Sequence, residues 1–193
     1  MVYYASNPNQ FYGCTTLADA INKYNETDAT GIRITRDIEL DAPVTIAKDA
    51  NVVIDLNGKT ISAIDETTKN YELIKNAGHL TIFGGGKMTV KATINSGWNR
   101  YSAVIANTVG GNLTVKDVTI EHLGGTDMAY GIDILTNGNI GDVQATINGG
   151  TISISDGSSN PAVWILPSKV INVNCTGSRI CIKFANRSST SCT

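Results

Sequence analysis

The sequence predicts an all-β protein, a right-handed parallel β-helix of about five to six coils with a short N-terminal capping helix. The first observation is a phrase of two short alternating strands around a Gly or turn pair, which occurs four times. The second is its spacing of about thirty residues, which is typical of solenoids, where each unit buries its apolar face against its neighbours. The third is the composition, because only 17% of the residues are charged and Gly, Asn and Thr are frequent. Such a composition favours strands and tight turns over helices.

Each repeat has two parts joined by a polar stretch. The first part lies at 53–61, 80–90, 113–120 and 145–154, and the second part begins at Tyr71, Tyr101, Tyr130 and Pro161. Turns rich in Asn and Gly close the coils, and these residues tolerate the positive φ that a sharp corner needs. Ile, Val and Leu at equivalent places are expected to stack inward as ladders from coil to coil.

Four segments are expected along the chain. They are an extended N-terminal arm at 1–13, a capping helix at 14–26, the β-helix domain at 27–187 and a C-terminal tail at 188–193. The β-helix domain opens with four short strands, which alternate apolar with polar residues. These strands are predicted at Ile32–Ile34, Ile38–Leu40, Val44–Ile46 and Val52–Leu56.

The capping helix is predicted from its N-terminus and from its apolar face. Thr15 or Thr16 can cap it, and Asp19 suits its first turn. Four residues share one face at helical spacing, namely Leu17, Ala20, Ile21 and Tyr24. A helix in this place covers the open end of a solenoid core.

Charge and hydropathy exclude several classes of partner. The net charge is −2, which gives no electrostatic support for binding nucleic acid or an anionic membrane. No apolar stretch approaches the length of a membrane span, and the first residues lack the features of a signal peptide. We expect a protein that stays in the cytosol where it is made or leaves by lysis, unless a signal has been removed.

The four cysteines show no metal-binding spacing. There is no Cys-x-x-Cys pair and there are only two His, so no metal site and no cofactor are predicted. Cys175 and Cys181 flank a turn at Gly177 and could pair, although isolated thiols within strands are the favoured interpretation.

The order of these elements resembles a known family. A capping helix is followed by Ile-x-Ile-x-x-Asp-Ile-x-Leu, by the segment at 52–61 and by coils built on Gly-Gly-x-Ile-x-Ile. Over about residues 15–185 this is similar to the pectate-lyase-like superfamily of right-handed parallel β-helices. The resemblance implies the fold, whereas members include pectin-degrading enzymes, surface adhesins and bacteriophage tailspikes and other virion appendages, so it implies no single chemistry.

No catalytic residue is predicted. The Asp-Asp pair and the Gly-His-Gly of polygalacturonase-like members are absent, and Arg179 with Lys183 has the wrong spacing for their Arg-x-Lys. Asp117, Asp133 and Asp142 could form an acidic face, but no basic partner appears at a supporting spacing.

His79 and His122 are expected to be ordinary surface or turn residues. The glycines at 84–86 are expected to form a β-corner rather than a phosphate loop.

The polar stretches and the strands that follow them carry the candidate binding residues. Exposed aromatic rings beside amide, acidic and guanidinium groups hold sugars or anchor protein interfaces. The candidates for binding a glycan or partner are Trp98, Arg100, Tyr101, Asp127, Tyr130 and Asp133. Two alternative interpretations remain open. In the first, the tyrosines pack on one another as a ladder; in the second, Asp133, expected to point outward from its strand, belongs to a solvated face. Trp164 is expected to be a packing residue.

The favoured functional hypothesis is a non-enzymatic protein of a bacteriophage virion, made in the host cytoplasm. It would be a capsid-decorating, head-fibre or tail-associated protein that binds host glycan or stabilises the particle. A homotrimer is favoured, and other virion proteins are expected to bind the arm through Tyr3, Tyr4, Phe11 and Tyr12. The alternatives are a polysaccharide lyase or glycoside hydrolase on the same fold, and a fragment of an adhesin that is secreted or held at a bacterial surface.

Overall fold

The computed structural model is an all-β parallel β-solenoid with one short helix. It describes residues 2–3, 10–94, 100–124, 128–134, 143–155, 161–165, 171–176, 181–184 and 190–192. The helix α1 spans Leu17–Asn25. The strands are β1 Val2–Tyr3, β2 Phe11–Tyr12, β3 Gly31–Arg33, β4 Ile38–Glu39, β5 Val44–Ile46, β6 Asn51–Asp55, β7 Thr60–Asp65, β8 Tyr71–Asn76, β9 His79–Phe83, β10 Lys87–Ala92, β11 Ser102–Asn107, β12 Asn112–Lys116, β13 Thr119–Leu123, β14 Ala129–Ile134, β15 Val143–Asn148, β16 Thr151–Ser155, β17 Val163–Ile165, β18 Ile171–Thr176, β19 Cys181–Phe184 and β20 Thr190–Cys192.

Three sheets form the sides of the solenoid. The first sheet has the order β18-β15-β12-β9-β6-β3-β1-β2, the second β16-β13-β10-β7-β4 and the third β20-β19-β17-β14-β11-β8-β5. Strands of neighbouring coils pair in parallel, as the sequence predicts. Antiparallel strands are added at two ends: β1 and β2 extend the N-terminal end of the first sheet, and β20 extends the C-terminal end of the third. The right-handed sense of the coils stays a prediction.

The number of complete coils is lower than predicted. In the described part of the chain, about three coils have long strands in all three sheets: β6–β8, β9–β11 and β12–β14. A coil of shorter strands, β3–β5, precedes them, and later coils are described in part. The count therefore differs from the expected five to six, while the architecture agrees with the prediction.

The helix closes the N-terminal end as predicted. The Thr16 hydroxyl accepts a hydrogen bond from the Asp19 N–H at 3.1 Å, which satisfies one of the free donors of the first turn. All four residues of the predicted apolar face are buried, and they belong to the same core as the strands: Leu17, Ala20, Ile21 and Tyr24. The helix thus shields apolar surface that the first coil would otherwise expose.

Apolar ladders fill the interior. In the first sheet Ile54, Ile82, Val115 and Ile147 occupy one register position in successive coils, and each has no exposed surface. Full burial of such a side chain stabilises the fold by roughly 1.5–3 kcal/mol. Because every coil buries this column against the next, the coils hold one another in register.

The glycines at 84–86 form a corner between β9 and β10, as predicted. Gly84 has a φ of +99° and Gly85 a φ of +65°, in the region that favours glycine. A Cβ on Gly86 would lie 2.6 Å from the Cβ of Leu56 and 2.3 Å from the carbonyl oxygen of Lys59, so the preceding coil leaves no room for a side chain.

Candidate functional site: the outer face of the third sheet

Alternation along the third sheet separates an inner from an outer face. In β14, Ile132 and Ile134 belong to the core, and Asp133 lies between them on the outer face. In register with Asp133 lie Ala106 of β11 and Trp164 of β17. The outer face of this sheet therefore presents a carboxyl group and an indole on adjacent coils.

A second outer row lies three residues before the first, because alternation is interrupted where the adjacent residues Leu73 and Ile74 both belong to the core. Glu72, Ala103 and Tyr130 occupy equivalent positions in β8, β11 and β14. Ala103 and Ala106 of the middle coil have no exposed surface. We call the larger side chains of this face the aromatic–acid cluster; its members are Glu72, Lys75, Tyr101, Tyr130, Asp133 and Trp164.

Glu72 is held by two partners. The hydroxyl of Tyr101, from the segment just before β11, donates a hydrogen bond to its Oε1 atom. The ammonium group of Lys75 lies 3.5 Å from its Oε2 atom. The Glu72 side chain keeps 15% of its surface exposed and that of Lys75 keeps 46%, so a ligand in solvent can reach both groups.

Two aromatic rings stack on this face. The rings of Tyr130 and Trp164 have centroids 5.8 Å apart and an interplanar angle of 24°, which is a stacked arrangement. Tyr130 is buried, whereas Trp164 is half-buried. The indole therefore keeps part of its surface for another partner.

Asp133 is the most perturbed acid of the cluster. It is 1% exposed, and burial, followed by the nearby charge of Glu72, raises its pKa to about 8. Its Oδ1 atom has no hydrogen-bond partner among the described residues. Burial and the Asp133 charge also raise the pKa of Tyr130 above its ordinary value. With a pKa of about 8, most Asp133 side chains are protonated at neutral pH.

The cluster offers the groups that sugar recognition uses. A sugar ring packs its C–H face on an aromatic ring, while its hydroxyls bond to carboxylate, ammonium and phenol groups. Trp164 supplies the ring, and Glu72, Lys75 and Tyr101 supply polar groups that reach solvent. The same face holds two acids in different environments, which is the arrangement that acid catalysis requires.

The structure brings together only part of the predicted binding set. Tyr101, Tyr130 and Asp133 lie in the cluster, whereas Trp98 and Asp127 lie outside the described residues. Asp133 is on the outer face as expected, but the interpretation as a solvated residue is wrong, because its side chain is buried. The expectation that Trp164 is only a packing residue is incomplete, since its half-buried ring stacks on Tyr130.

The tyrosine ladder considered as an alternative does not form. Tyr71 pairs in register with Ser102 and Ala129, and Tyr130 pairs with Ala103 and Glu72. Tyr71 is thus displaced by one residue from Tyr101 and from Tyr130, and these two are displaced from each other by two residues. Tyr130 stacks instead on the indole of Trp164.

Arg100 is not on this face, contrary to prediction. It is 2% exposed, and its guanidinium binds both carboxylate oxygens of Asp65, with Nη1 to Oδ1 at 3.1 Å and Nη2 to Oδ2 at 2.7 Å. Nη1 also donates to the carbonyl oxygens of Thr67 and Lys69. Burial of an arginine is tolerated because a carboxylate of the preceding coil pairs with it.

His122 extends this interior network and is not a surface residue as predicted. Its side chain has no exposed surface, and its Nε2 atom lies 2.8 Å from the Ser102 hydroxyl, which donates to Asp65 at 2.8 Å. In a hydrolytic triad the imidazole lies between the hydroxyl and the carboxylate. Here the hydroxyl lies between the other two groups and all three are sealed from solvent, so the network has a structural role.

Other acidic and histidine predictions have separate outcomes. Asp117 is exposed at a turn between β12 and β13, away from Asp133, and Asp142 lies outside the described residues. His79 is exposed, as predicted.

Within the described ranges no group of three or more His, Cys, Asp or Glu side chains is close enough to bind a metal ion. No helix among these residues has the length and apolarity to cross a membrane.

The N-terminal end carries the second feature of interest. Val2–Tyr3 of the predicted arm pairs with β3, and Phe11–Tyr12 pairs in turn with Val2–Tyr3, so these parts of the arm extend the first sheet of the solenoid. Phe11 is 59% exposed, and the ring of Tyr12 lies 4.9 Å from the ammonium of Lys23. Tyr4 lies outside the described residues. Nearby, a cavity of about 470 Å³ separates the start of α1 from the segment 36–44.

Sequence reasoning missed Glu72 and the interior position of His122. Both follow from alternation: Glu72 lies between the buried residues Tyr71 and Leu73, and His122 has the same parity as the buried Ile120. For Glu72 the signal was a charged residue at an outward-facing position of an apolar strand. For His122 it was a histidine at a position that alternation directs inward.

Comparison of the chain with protein-family models, with curated proteins and with solved structures finds no match.

Proposed function

We propose that this protein is a non-enzymatic surface protein that binds a glycan through the aromatic–acid cluster. The observation that carries this proposal is the half-buried ring of Trp164, which stacks on Tyr130 of the neighbouring strand. Glu72 and Tyr101 lie on the same face of the sheet, nearer its other end. An aromatic platform rimmed by hydrogen-bonding groups is the usual chemistry of a sugar site. The interior network supports a binding role in a different way, because it keeps Ser102 and His122 away from substrate.

We further propose a place in the pectate-lyase-like superfamily and in a bacteriophage virion, as a capsid-decorating, head-fibre or tail-associated protein. Parallel coils after a capping helix support the superfamily assignment. The exposed Phe11 on the edge strand β2 supports attachment to other virion proteins by the N-terminal end, and the 470 Å³ cavity at the start of α1 is a concave feature of that end. A homotrimer with the glycan-binding face outward is the expected assembly.

The glycan proposal is tested by titrating the protein with oligosaccharides from host surface polysaccharides and measuring heat or tryptophan fluorescence. Trp164→Ala should weaken binding about tenfold, which corresponds to about 1.4 kcal/mol, whereas Trp164→Phe should retain most of it. Phe83→Ala is a matched control, because Phe83 is a half-buried aromatic residue on the first sheet. Equal affinity of Trp164→Ala and the wild type would refute this site.

Attachment is tested by co-sedimentation with purified virions. Phe11→Ala should reduce the bound fraction, because Phe11 is the most exposed large apolar side chain among the described residues. Ile64→Ala is the control, since Ile64 is 46% exposed but lies on the second sheet. Loss of attachment with both variants, or with neither, would contradict docking through the N-terminal end.

A glycoside hydrolase is the second candidate, and one specific observation favours it. Glu72 and Asp133 are two acids on one face, and burial followed by the charge of Glu72 raises the pKa of Asp133 to about 8, as is usual for a general acid. Release of reducing ends from a polysaccharide by the wild type, abolished in Asp133→Asn and kept in Asp117→Asn, would establish this candidate. Binding without product would favour the non-enzymatic proposal.

A further inference from the structure

The last two described strands place two cysteines opposite each other. β19 and β20 pair in antiparallel orientation, and their register puts Cys181 opposite Cys192, with Ile182 opposite Ser191. Directly opposed residues of an antiparallel pair have Cα atoms about 4.5 or 5.5 Å apart, depending on the hydrogen-bonding site. Both separations fall within the range of about 4.4–6.8 Å that a disulfide bond spans.

We propose that Cys181 and Cys192 form an intrachain disulfide bond that fastens the C-terminal strand to the solenoid. The juxtaposition is a consequence of the topology, because β20 follows β19 directly and turns back along it at the edge of the third sheet. The bond closes a loop over residues 182–191. It does not depend on glycan binding, and its test is independent of that proposal.

The alternative partners are placed less favourably. Cys175 lies in β18 of the first sheet, in register with the core residue Ile147, whereas Cys181 lies in the third sheet. Pairing of Cys175 with Cys181, considered from the sequence, would have to join two different sheets. Cys14 lies at the opposite end, packed against the core.

The reaction is an oxidation and needs an acceptor for two electrons. With a small disulfide such as oxidised glutathione, one thiolate attacks the disulfide and releases a thiol, and the second cysteine then displaces the other thiol. Two protein thiols and one small disulfide give one protein disulfide and two small thiols. The proposed bond therefore forms after the protein leaves a reducing compartment.

The bond would protect the C-terminal end of the third sheet. Edge strands expose unpaired backbone groups that invite pairing with other chains. β20 covers the edge of β19, but it spans only Thr190–Cys192. A covalent tie reduces the freedom of this short strand to separate from β19.

Trypsin separates the relevant cysteines and so distinguishes the possible bonds. Cleavage after Lys169, Arg179, Lys183 and Arg187 places Cys175, Cys181 and Cys192 in three different peptides, 170–179, 180–183 and 188–193. The full-length protein is oxidised with glutathione disulfide, its remaining thiols are alkylated, and it is digested without reductant. Mass spectrometry should then find peptide 180–183 linked to peptide 188–193.

Variants and thermal unfolding complete the test. Oxidation should raise the unfolding temperature of the wild type by roughly 5 °C, and Cys192→Ser should abolish this rise. Cys175→Ser is the matched control and should keep both the linked peptides and the rise. A link between 170–179 and 180–183, or complete alkylation of Cys181 and Cys192 after oxidation, would overturn the proposal.

Discussion

The guanidinium of Arg100 binds both carboxylate oxygens of Asp65 inside the solenoid, at 3.1 and 2.7 Å. Asp65 ends β7, and Arg100 lies just before β11 of the next coil, so the pair joins two coils at a corner. Neither side chain is more than 2% exposed. Removal of one partner leaves a buried charge without its counterion, which is far less favourable than loss of an exposed pair.

Arg100→Met is therefore expected to lower the free energy of unfolding by about 3–5 kcal/mol, measured by urea unfolding. Arg33→Ala is the control: Arg33 also pairs with an aspartate of the next coil, Asp55 at 3.0 Å, but its side chain is 49% exposed. This control should lose no more than about 1 kcal/mol. Similar losses in both variants would show that burial does not decide the strength of these pairs.

A second set of interior contacts, the hydrogen bonds between asparagine side chains of successive coils, is also expected to stabilise the fold. Asn76 donates to the Oδ1 atom of Asn107 at 2.7 Å, and Asn107 donates to the carbonyl oxygen of Gln144 at 2.9 Å. Asn107→Ala should lower the free energy of unfolding by about 2 kcal/mol or more, because it leaves buried polar groups without partners. Asn112→Ala removes a half-exposed amide and should change the free energy of unfolding by less than about 0.5 kcal/mol. Urea unfolding of both variants measures these two changes.

The fold followed from the sequence because apolar alternation and the thirty-residue spacing are local signals. The capping helix, with Thr16 at its start and Tyr24 on its buried face, was predicted to within a few residues. Val44–Ile46 was predicted with its correct bounds. Such signals need no knowledge of partners, because each follows from the period of a helix or a strand.

The candidate site was predicted less well because register depends on hydrogen bonds between coils. The tyrosines at the start of the repeats suggest that they occupy one register position. In the structure the residues that share a register position are instead Ile74, Ile105 and Ile132. A displacement of one residue moves a side chain to the other face of the sheet. For this reason Tyr71 is interior, whereas Tyr130 lies on the outer face.

The buried position of Arg100 has a different cause. Arginine is usually exposed, and burial requires a partner that neutralises its charge. That partner, Asp65, lies in the preceding coil, and nothing in the local sequence around Arg100 identifies it. Long-range pairing of this kind is a property of the folded chain.

The raised pKa of Asp133 predicts a pH dependence of stability. Its value of about 8 in the folded state exceeds that of an unfolded aspartate, about 3.9. The folded protein then binds a proton that the unfolded chain releases, so stability from this group is fully present below about pH 4 and is lost as the pH rises towards about 8. The charge of Glu72 is the second cause of this shift, after burial, and Lys75 is the other charged group of this face.

Asp133→Asn should remove this dependence, because the amide resembles the protonated acid. Relative to the wild type, the variant should gain stability between pH 4 and pH 8–9, by an amount of order a few kcal/mol. Thermal and urea unfolding across this range measure the difference, with Asp117→Asn as the exposed control. Parallel stability curves for Asp133→Asn and the wild type would show that Asp133 titrates normally.

The corner at residues 84–86 gives a steric prediction with an internal control. A Cβ on Gly86 would lie 2.3 Å from the Lys59 carbonyl oxygen, which already accepts a hydrogen bond from the Lys87 N–H at 3.0 Å. Gly86→Ala must therefore separate two coils and should lower the free energy of unfolding by about 2 kcal/mol or more. At Gly85 a Cβ would meet nothing within 4 Å, and its φ of +65° suits asparagine. Gly85→Asn should consequently stay within about 1 kcal/mol of the wild type, and a larger loss there than at Gly86 would show that backbone strain, rather than contact between coils, limits this corner.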